Sequence, residues 1–460
     1  MRTLIKKKTD VILLLICMGF YLFFPLYDGP VWCVDSASYA SMHITREPLY
    51  PVFLWIFRSI FGEEAYLMPV ALVQSLIAGY AAWRLAVTVR EETEGSLPMA
   101  VLAMGFQFGV TFLCRFVANR GSAYTGSIMT EGLGLSLYLL FILRLYRYVT
   151  GEKGRDLAAT ACLALLLVNL RKQMLITLCL MAAVFVLYNL LKDRRIKKLL
   201  FLSVLTVGLL FLSRLTDRLY NYCVRGAWIE HSGNSMGLLC TLIYTSSEED
   251  AGLFREEELR RMYQEIHEQA WQQGLNIAFA PEGWEGLSTH YADSYDAIGY
   301  GIINPVVQGV IREGREVTEV EEARLYDGYC SAMAQALISQ EKGDLLRVYG
   351  ANTLKGFINS IARVHPVLNP FALSAYGLYL SLYIFLSRKK KGQRDRALAF
   401  AEVVMGGIII NALVVGAMIF CQPRYMIYSM GLFYGALSLL VYDCIISVRK
   451  GMVQAWEKGY

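Results

Sequence analysis

Residues 156–198 read DLAATACLALLLVNLRKQMLITLCLMAAVFVLYNLLKDRRIKK. The run is too long for a single membrane crossing, because a hydrocarbon core about 30 Å thick takes roughly 20 helical residues. Arg171 and Lys172 interrupt it near the middle, and the cluster Lys192, Arg194, Arg195, Lys197 and Lys198 closes it. Taken as two spans, 156–170 and 173–191, joined by a tight turn, it puts that cluster on the side where the other basic clusters fall. Taken as one span, it would invert every cluster that follows.

Working outward, apolar runs at 11–27, 65–89, 98–117, 127–146, 199–214, 367–387, 397–420 and 426–447 complete a set of about ten spans. With the N-terminus inside, the inside segments hold Arg2 and Lys6–Lys8, then Arg84 and Arg90, then Arg144, Arg147, Lys153 and Arg155. After the 192–198 cluster come Arg388–Lys391, Arg394 and Arg396, and finally Arg449 and Lys450. Every second connection is basic, as the positive-inside rule requires. The basic start followed by 11–27 resembles a signal peptide, but the run is long and no small-residue cleavage site follows, so it reads as a retained anchor. The expectation is an all-α polytopic helix bundle in the plasma membrane, with both termini cytoplasmic.

Composition agrees. Of 460 residues, 55% are hydrophobic and only 18% charged, too little charge to cover a soluble domain of this size. A net charge of +5 is too small to argue for nucleic acid as a partner. The ten cysteines form no CxxC pair, and reduced thiols are the default reading. Three regions follow: an N-terminal membrane module, 1–214, carrying a first outside loop at 28–64; an outside subdomain, 215–366; and C-terminal membrane helices, 367–460. Within the subdomain, 254–274, 316–342 and 343–363 read as helices, whereas the Gly-, Pro- and aromatic-rich stretch 276–301 reads as a loop near the membrane surface.

Candidate chemistry gathers at outside span ends. Asp35 directly follows the first span, and REPLYPVFLWIF (46–57) then suits an amphipathic helix lying in the interface. Asp35 is placed to act as a general base, or simply to cap a helix. Glu131 sits about one turn inside the fourth span, where an ionisable group is costly and points to function, although the helix dipole also favours a first-turn Glu. Arg120, Arg171, Lys172 and Arg424 are outside-facing cations. Arginine binds phosphate oxygens bidentately, and such residues also snorkel to lipid headgroups. No HExxH and no GxxxxGK[ST] occurs, so apparatus for nucleotide-driven chemistry is not visible.

Four segments, DSASY (35–39), REPLYPVFLWIF, TEGLGLSLYLL (130–140) and PRYM (423–426), resemble the GT-C superfamily of membrane glycosyltransferases, in the branch of protein O-mannosyltransferases and lipid A aminoarabinose transferase. The resemblance implies a GT-C-like fold and transfer of a sugar from a polyprenyl-phosphate donor to a glycan, lipid or protein acceptor on the extracytoplasmic face, with inversion. It implies Asp35 as base, with Glu131 as the second acidic position. Arg171, Lys172, Arg424 and Arg120 would contact the donor phosphate, and Tyr39, Arg46, Glu47 and Tyr425 would position the acceptor. The resemblance assigns no particular cofactor. A divalent cation stays an open option, because DSASY has one Asp where some relatives have two adjacent acids. The competing readings are a flippase or transporter for lipid-linked saccharides, a polysaccharide polymerase or ligase, and a non-catalytic scaffold.

Overall fold

A computed structural model of the chain describes residues 2–117, 123–192, 195–314, 316–339, 342–362, 366–390 and 395–457. Arg120 lies outside the described residues, as do Arg194, Lys391 and Arg394 of the basic clusters. Among the described residues the chain is helical throughout, and the one extended pairing is a single parallel bridge between Val31 and Ser127.

Among the described residues, eight helices are long and apolar enough to cross a membrane: Lys8–Asp28, Leu67–Glu92, Thr130–Gly151, Lys172–Asn189, Ile196–Arg225, Asn369–Lys389, Arg396–Met418 and Pro423–Lys450. The expectation of about ten is thus met by eight on length and composition. The other two expected spans are helices as well. Leu97–Val117 is an apolar helix of 21 residues, and Gly154–Leu170 has only 17. The latter begins with the buried Asp156 and ends beside the buried Asn169, and it packs between Thr130–Gly151 and Ile196–Arg225. Protein neighbours therefore replace much of the lipid it would otherwise meet. Ile196–Arg225 is the opposite case, with Leu200, Phe201, Val204, Val207 and Phe211 all exposed, a bare apolar face suited to hydrocarbon.

The basic clusters meet at one end of the bundle. Arg90 pairs with Asp10 at 2.5 Å, Arg147 with Glu91 at 2.9 Å, Arg195 and Lys198 with Glu152 at 2.8 Å, and Lys390 with Asp443 at 2.6 Å. Glu131 begins the helix whose last turns carry Arg147, so it lies roughly 24 Å away at the opposite end.

Two sequence expectations are corrected. The span expected to stop at 214 continues to Arg225, where Gly226 at φ +69° ends the helix, so the boundary at 214 falls inside one element. The stretch 276–301 is not a loop. It forms a 3-10 turn Ile277–Phe279, the helix Gly283–Asp296 and most of a π-helical turn, Ala297–Ile303, that runs on into Asn304–Arg312. Leu287, Tyr291, Tyr295, Ile298 and Ile302 recur at three- and four-residue spacing and are buried in a second core with Leu239, Tyr263 and Met333. The Gly and Pro content hid that stripe. The helices expected at 254–274, 316–342 and 343–363 are observed as Glu257–Gln272, Glu319–Leu337 and Lys342–Ile361.

The first loop is fastened to the bundle through Gln74, which is fully buried. Its amide oxygen accepts from Tyr50 of the Leu49–Phe61 helix at 2.8 Å, and its NH2 donates to the carbonyls of Thr125 and Ser127 at 2.9 and 3.1 Å. A buried amide in apolar surroundings is tolerated only when satisfied in this way. Gly132 makes room for it, since a Cβ there would lie 2.6 Å from the Gln74 amide carbon. Gly132→Ala should therefore lower stability by about 1–3 kcal/mol through overpacking. A thermal melt of the purified variant in detergent checks this, and an unchanged midpoint would refute the close fit.

Candidate active site

The short helix Ser36–Ala40 places DSASY. Ser36 Oγ accepts the Cys33 N–H at 2.7 Å and donates to the Ile128 carbonyl at 2.8 Å, while the Val31 N–H donates to Gly126 and its carbonyl accepts from Ile128. These bonds set the first loop beside the start of the Thr130–Gly151 helix. Asp35 occupies the N-cap position, yet its side chain makes no capping hydrogen bond. The carboxylate points elsewhere: Oδ1 accepts from Arg46 Nη2 at 2.9 Å, and Oδ2 faces both terminal nitrogens of Arg424 at 3.4 Å.

Glu131 lies in the first turn of its helix, with its side chain 1% exposed. Its charge is met by Arg171, which hydrogen-bonds Oε1, and by Arg424, whose Nε is 3.5 Å from the same oxygen. Arg171 ends the Gly154–Leu170 helix in extended conformation. Its guanidinium lies 4.6 Å from the centroid of the Tyr425 ring, and that of Arg424 lies 5.1 Å from it. Asp35, Glu131, Arg171, Arg424 and Tyr425, far apart in sequence, thus form one cluster. Arg46 joins it through Asp35 and is held by Ser38 Oγ at 2.8 Å and the Tyr39 ring at 4.6 Å.

The two central arginines differ in how they are held. Arg171 is committed to Glu131 and is 15% exposed. Arg424 is 26% exposed, and its contacts to Asp35, Glu131 and the Tyr425 hydroxyl are all 3.4–3.5 Å. Those are long for charge-assisted bonds, which run about 2.7–2.9 Å. Arg424 therefore keeps donor capacity for an incoming anion.

Lys172 does not join the arginines. Its backbone N–H donates to Glu47 at 2.5 Å, and its side chain lines a small cavity with Glu47, Asp217 and Glu230. Arg171 is extended, whereas Lys172 opens the 3-10 turn Lys172–Leu175, and the change of backbone conformation between them sends the two side chains to different places. Glu47 likewise faces Lys172 and His231 rather than Asp35. The donor set also fits a divalent cation poorly. Arginines already neutralise both Asp35 and Glu131, and among the described residues no group of three His, Cys, Asp or Glu side chains gathers that could hold a metal ion.

Three features escaped the sequence reading. Asp296 and Tyr300, on the misread 276–301 stretch, stand within charge range of Asp35, and of Arg424 and Arg46 respectively. A GxSxG pattern, GNSMG at 233–237, was passed over. It opens the helix Asn234–Tyr244, where the Asp327 carboxylate accepts the Gly233 N–H at 3.0 Å, and no strand precedes it, so the strand–turn–helix setting of a nucleophile is missing. Finally, His231 Nδ1 is 2.6 Å from Asp217 Oδ2, and its Nε2 is 3.9 Å from Glu47. Only the fold could pair them.

Burial opposes the charged imidazolium of His231, but the Asp217 hydrogen bond and the Glu47 charge outweigh it and hold its pKa above the usual value. A raised folded-state pKa stabilises below the unfolded value, near 6.5, and that contribution is lost as pH rises through the folded value. Melting temperatures should fall as pH rises from 6 through the histidine range, and His231→Gln should flatten that slope. Parallel slopes for the two proteins would refute the pairing.

No family model matches the chain, and no curated protein matches it. Among solved structures it is similar to the archaeal oligosaccharyltransferase AglB from Archaeoglobus fulgidus, in complex with an inhibitory peptide and a dolichol-phosphate. The identity is 13% and the TM-score 0.45, covering 99% of this chain and 52% of that one. It is also similar to ArnT from Cupriavidus metallidurans bound to undecaprenyl phosphate, at 12% identity and TM-score 0.27, over 96% of this chain and 76% of the other. The chain spans about half the length of AglB.

Proposed function

We propose that the chain is a membrane glycosyltransferase that moves a sugar from a polyprenyl-phosphate donor to an acceptor on the extracytoplasmic face. One observation carries the reading. A carboxylate with one oxygen anchored by Arg46 turns its other oxygen toward Arg424, a partly exposed and loosely held arginine. A base and an anion-binding group thus stand side by side at the end of the bundle opposite the basic clusters. That end is extracytoplasmic if the positive-inside rule holds here. The resemblance of the DSASY, TEGLGLSLYLL and PRYM segments supplies the donor class.

In this reading Asp35 takes the proton of an acceptor hydroxyl. The acceptor oxygen forms a bond to the anomeric carbon from the face opposite the leaving group. The bond from that carbon to the phosphate oxygen breaks, and its electron pair stays on the departing polyprenyl phosphate. Arg424, with Arg171 behind it, stabilises the charge that develops on the leaving phosphate. The products are an inverted glycoside, a polyprenyl phosphate and a protonated Asp35. Glu131 positions the arginines and touches no substrate.

Purified protein should be incubated with a panel of polyprenyl-phosphate sugars and candidate acceptors. Asp35→Asn should reduce transfer by about a hundred- to ten-thousand-fold, and Arg424→Gln by about a hundred- to a thousand-fold. Equal transfer or hydrolysis by wild type and Asp35→Asn would sink the role of Asp35.

A further inference from the structure

Arg46 serves two places. One nitrogen holds Asp35, and the side chain also lines a cavity of about 570 Å³ between the first loop and the helical subdomain, a volume typical of small-molecule sites. One wall is the loop segment 43–47. The facing wall carries Tyr300, Asn304, Gln308 and Arg312. Their four-residue spacing lays them along one helical face, and the π-helical turn that begins it is a feature often found at functional sites.

The chemistry of these walls is selective. Arg312 pairs with Glu322 at 2.7 Å and Asn304 accepts from Tyr326, so charge is largely cancelled while polarity is kept. Gln308 makes no hydrogen bond among the described residues, which leaves one amide carbonyl and one NH2 facing the cavity. Aliphatic lining is limited to Ile44, Met236 and Ala323, and the rings of Tyr300 and Tyr326 add flat apolar surface, a mixed lining that suits the face of a sugar ring better than an acyl chain. The helical walls have already spent their backbone groups internally, so they offer no main-chain partners to an extended peptide. A neutral polyol, with every hydroxyl both donor and acceptor, matches what remains.

We propose that this cavity is a saccharide site, and that the acceptor is a glycan whose hydroxyl is presented from it toward Asp35. The second half of that statement rests on the transferase reading, and the first half does not.

Saturation-transfer NMR on the full-length protein in detergent, with maltotriose, mannotriose and chitotriose added singly and no donor present, tests it. At least one trisaccharide should bind, and Gln308→Leu and Gln308→Glu should each weaken it about tenfold, one hydrogen bond's worth. The proposal is overturned if none of the three binds, or if both variants bind as wild type does. It is also overturned if a Ser/Thr peptide or phosphatidylethanolamine, rather than a sugar, competes for the site in a Gln308-dependent way. Saccharide binding without transfer from any donor would leave the cavity assignment standing and defeat the transferase reading. Transfer to peptide or lipid without saccharide binding would do the reverse.

Discussion

A carboxylate that is 1% exposed at the end of a membrane helix must be neutralised where it stands. Glu131 meets that demand by drawing in Arg171 from the end of one helix and Arg424 from the start of another. The constraint organises the whole site end of the bundle. Because Arg171 is fully engaged, Arg424 is shared between Glu131 and Asp35, and through Asp35 the first loop is tied to the last membrane segment. Removing one member leaves an uncompensated buried charge, a cost of about 3–5 kcal/mol. The cluster therefore behaves as one unit.

The division of labour between the two ends of the bundle follows from charge. Basic residues with acidic partners from neighbouring helices brace one end, as in the Arg147–Glu91 and Arg195–Glu152 pairs. At the other end the acids Asp35 and Glu131 draw arginines together, and aromatic rings hold their guanidinium groups. Tyr425 lies under two of them and Tyr39 under a third. Rings of this kind orient cations without neutralising them, so they set the directions of the guanidinium groups while the carboxylates balance the charge.

Much of this was legible in the sequence, for identifiable reasons. Apolar length and basic punctuation are local signals, and they located the membrane helices. Asp35, Glu131, Arg171 and Arg424 stood out because ionisable residues at span ends are few. What failed were properties set by tertiary contact. Lys172 looks equivalent to Arg171 until the backbone turns from extended to helical between them and sends it the other way. The 276–301 stretch looks like a loop because two of its stripe residues are Tyr and the Gly and Pro residues around the stripe read as turns. The His231–Asp217 pair joins residues whose proximity no pattern encodes. Gly154–Leu170 carries polar residues that a packed helix accepts more readily than a lipid-facing one.

The Gln74 junction bears on how such a protein can diversify. Both hydrogens of its amide and its carbonyl oxygen are engaged, and Gly132 leaves no spare volume around it. It is a fixed hinge-pin from which the first loop hangs. The helices that carry Gln308 and Arg312 have their own separate core and can vary without disturbing it. A lineage built on this frame could change what it accepts by redrawing one wall, while the reacting end keeps its registration.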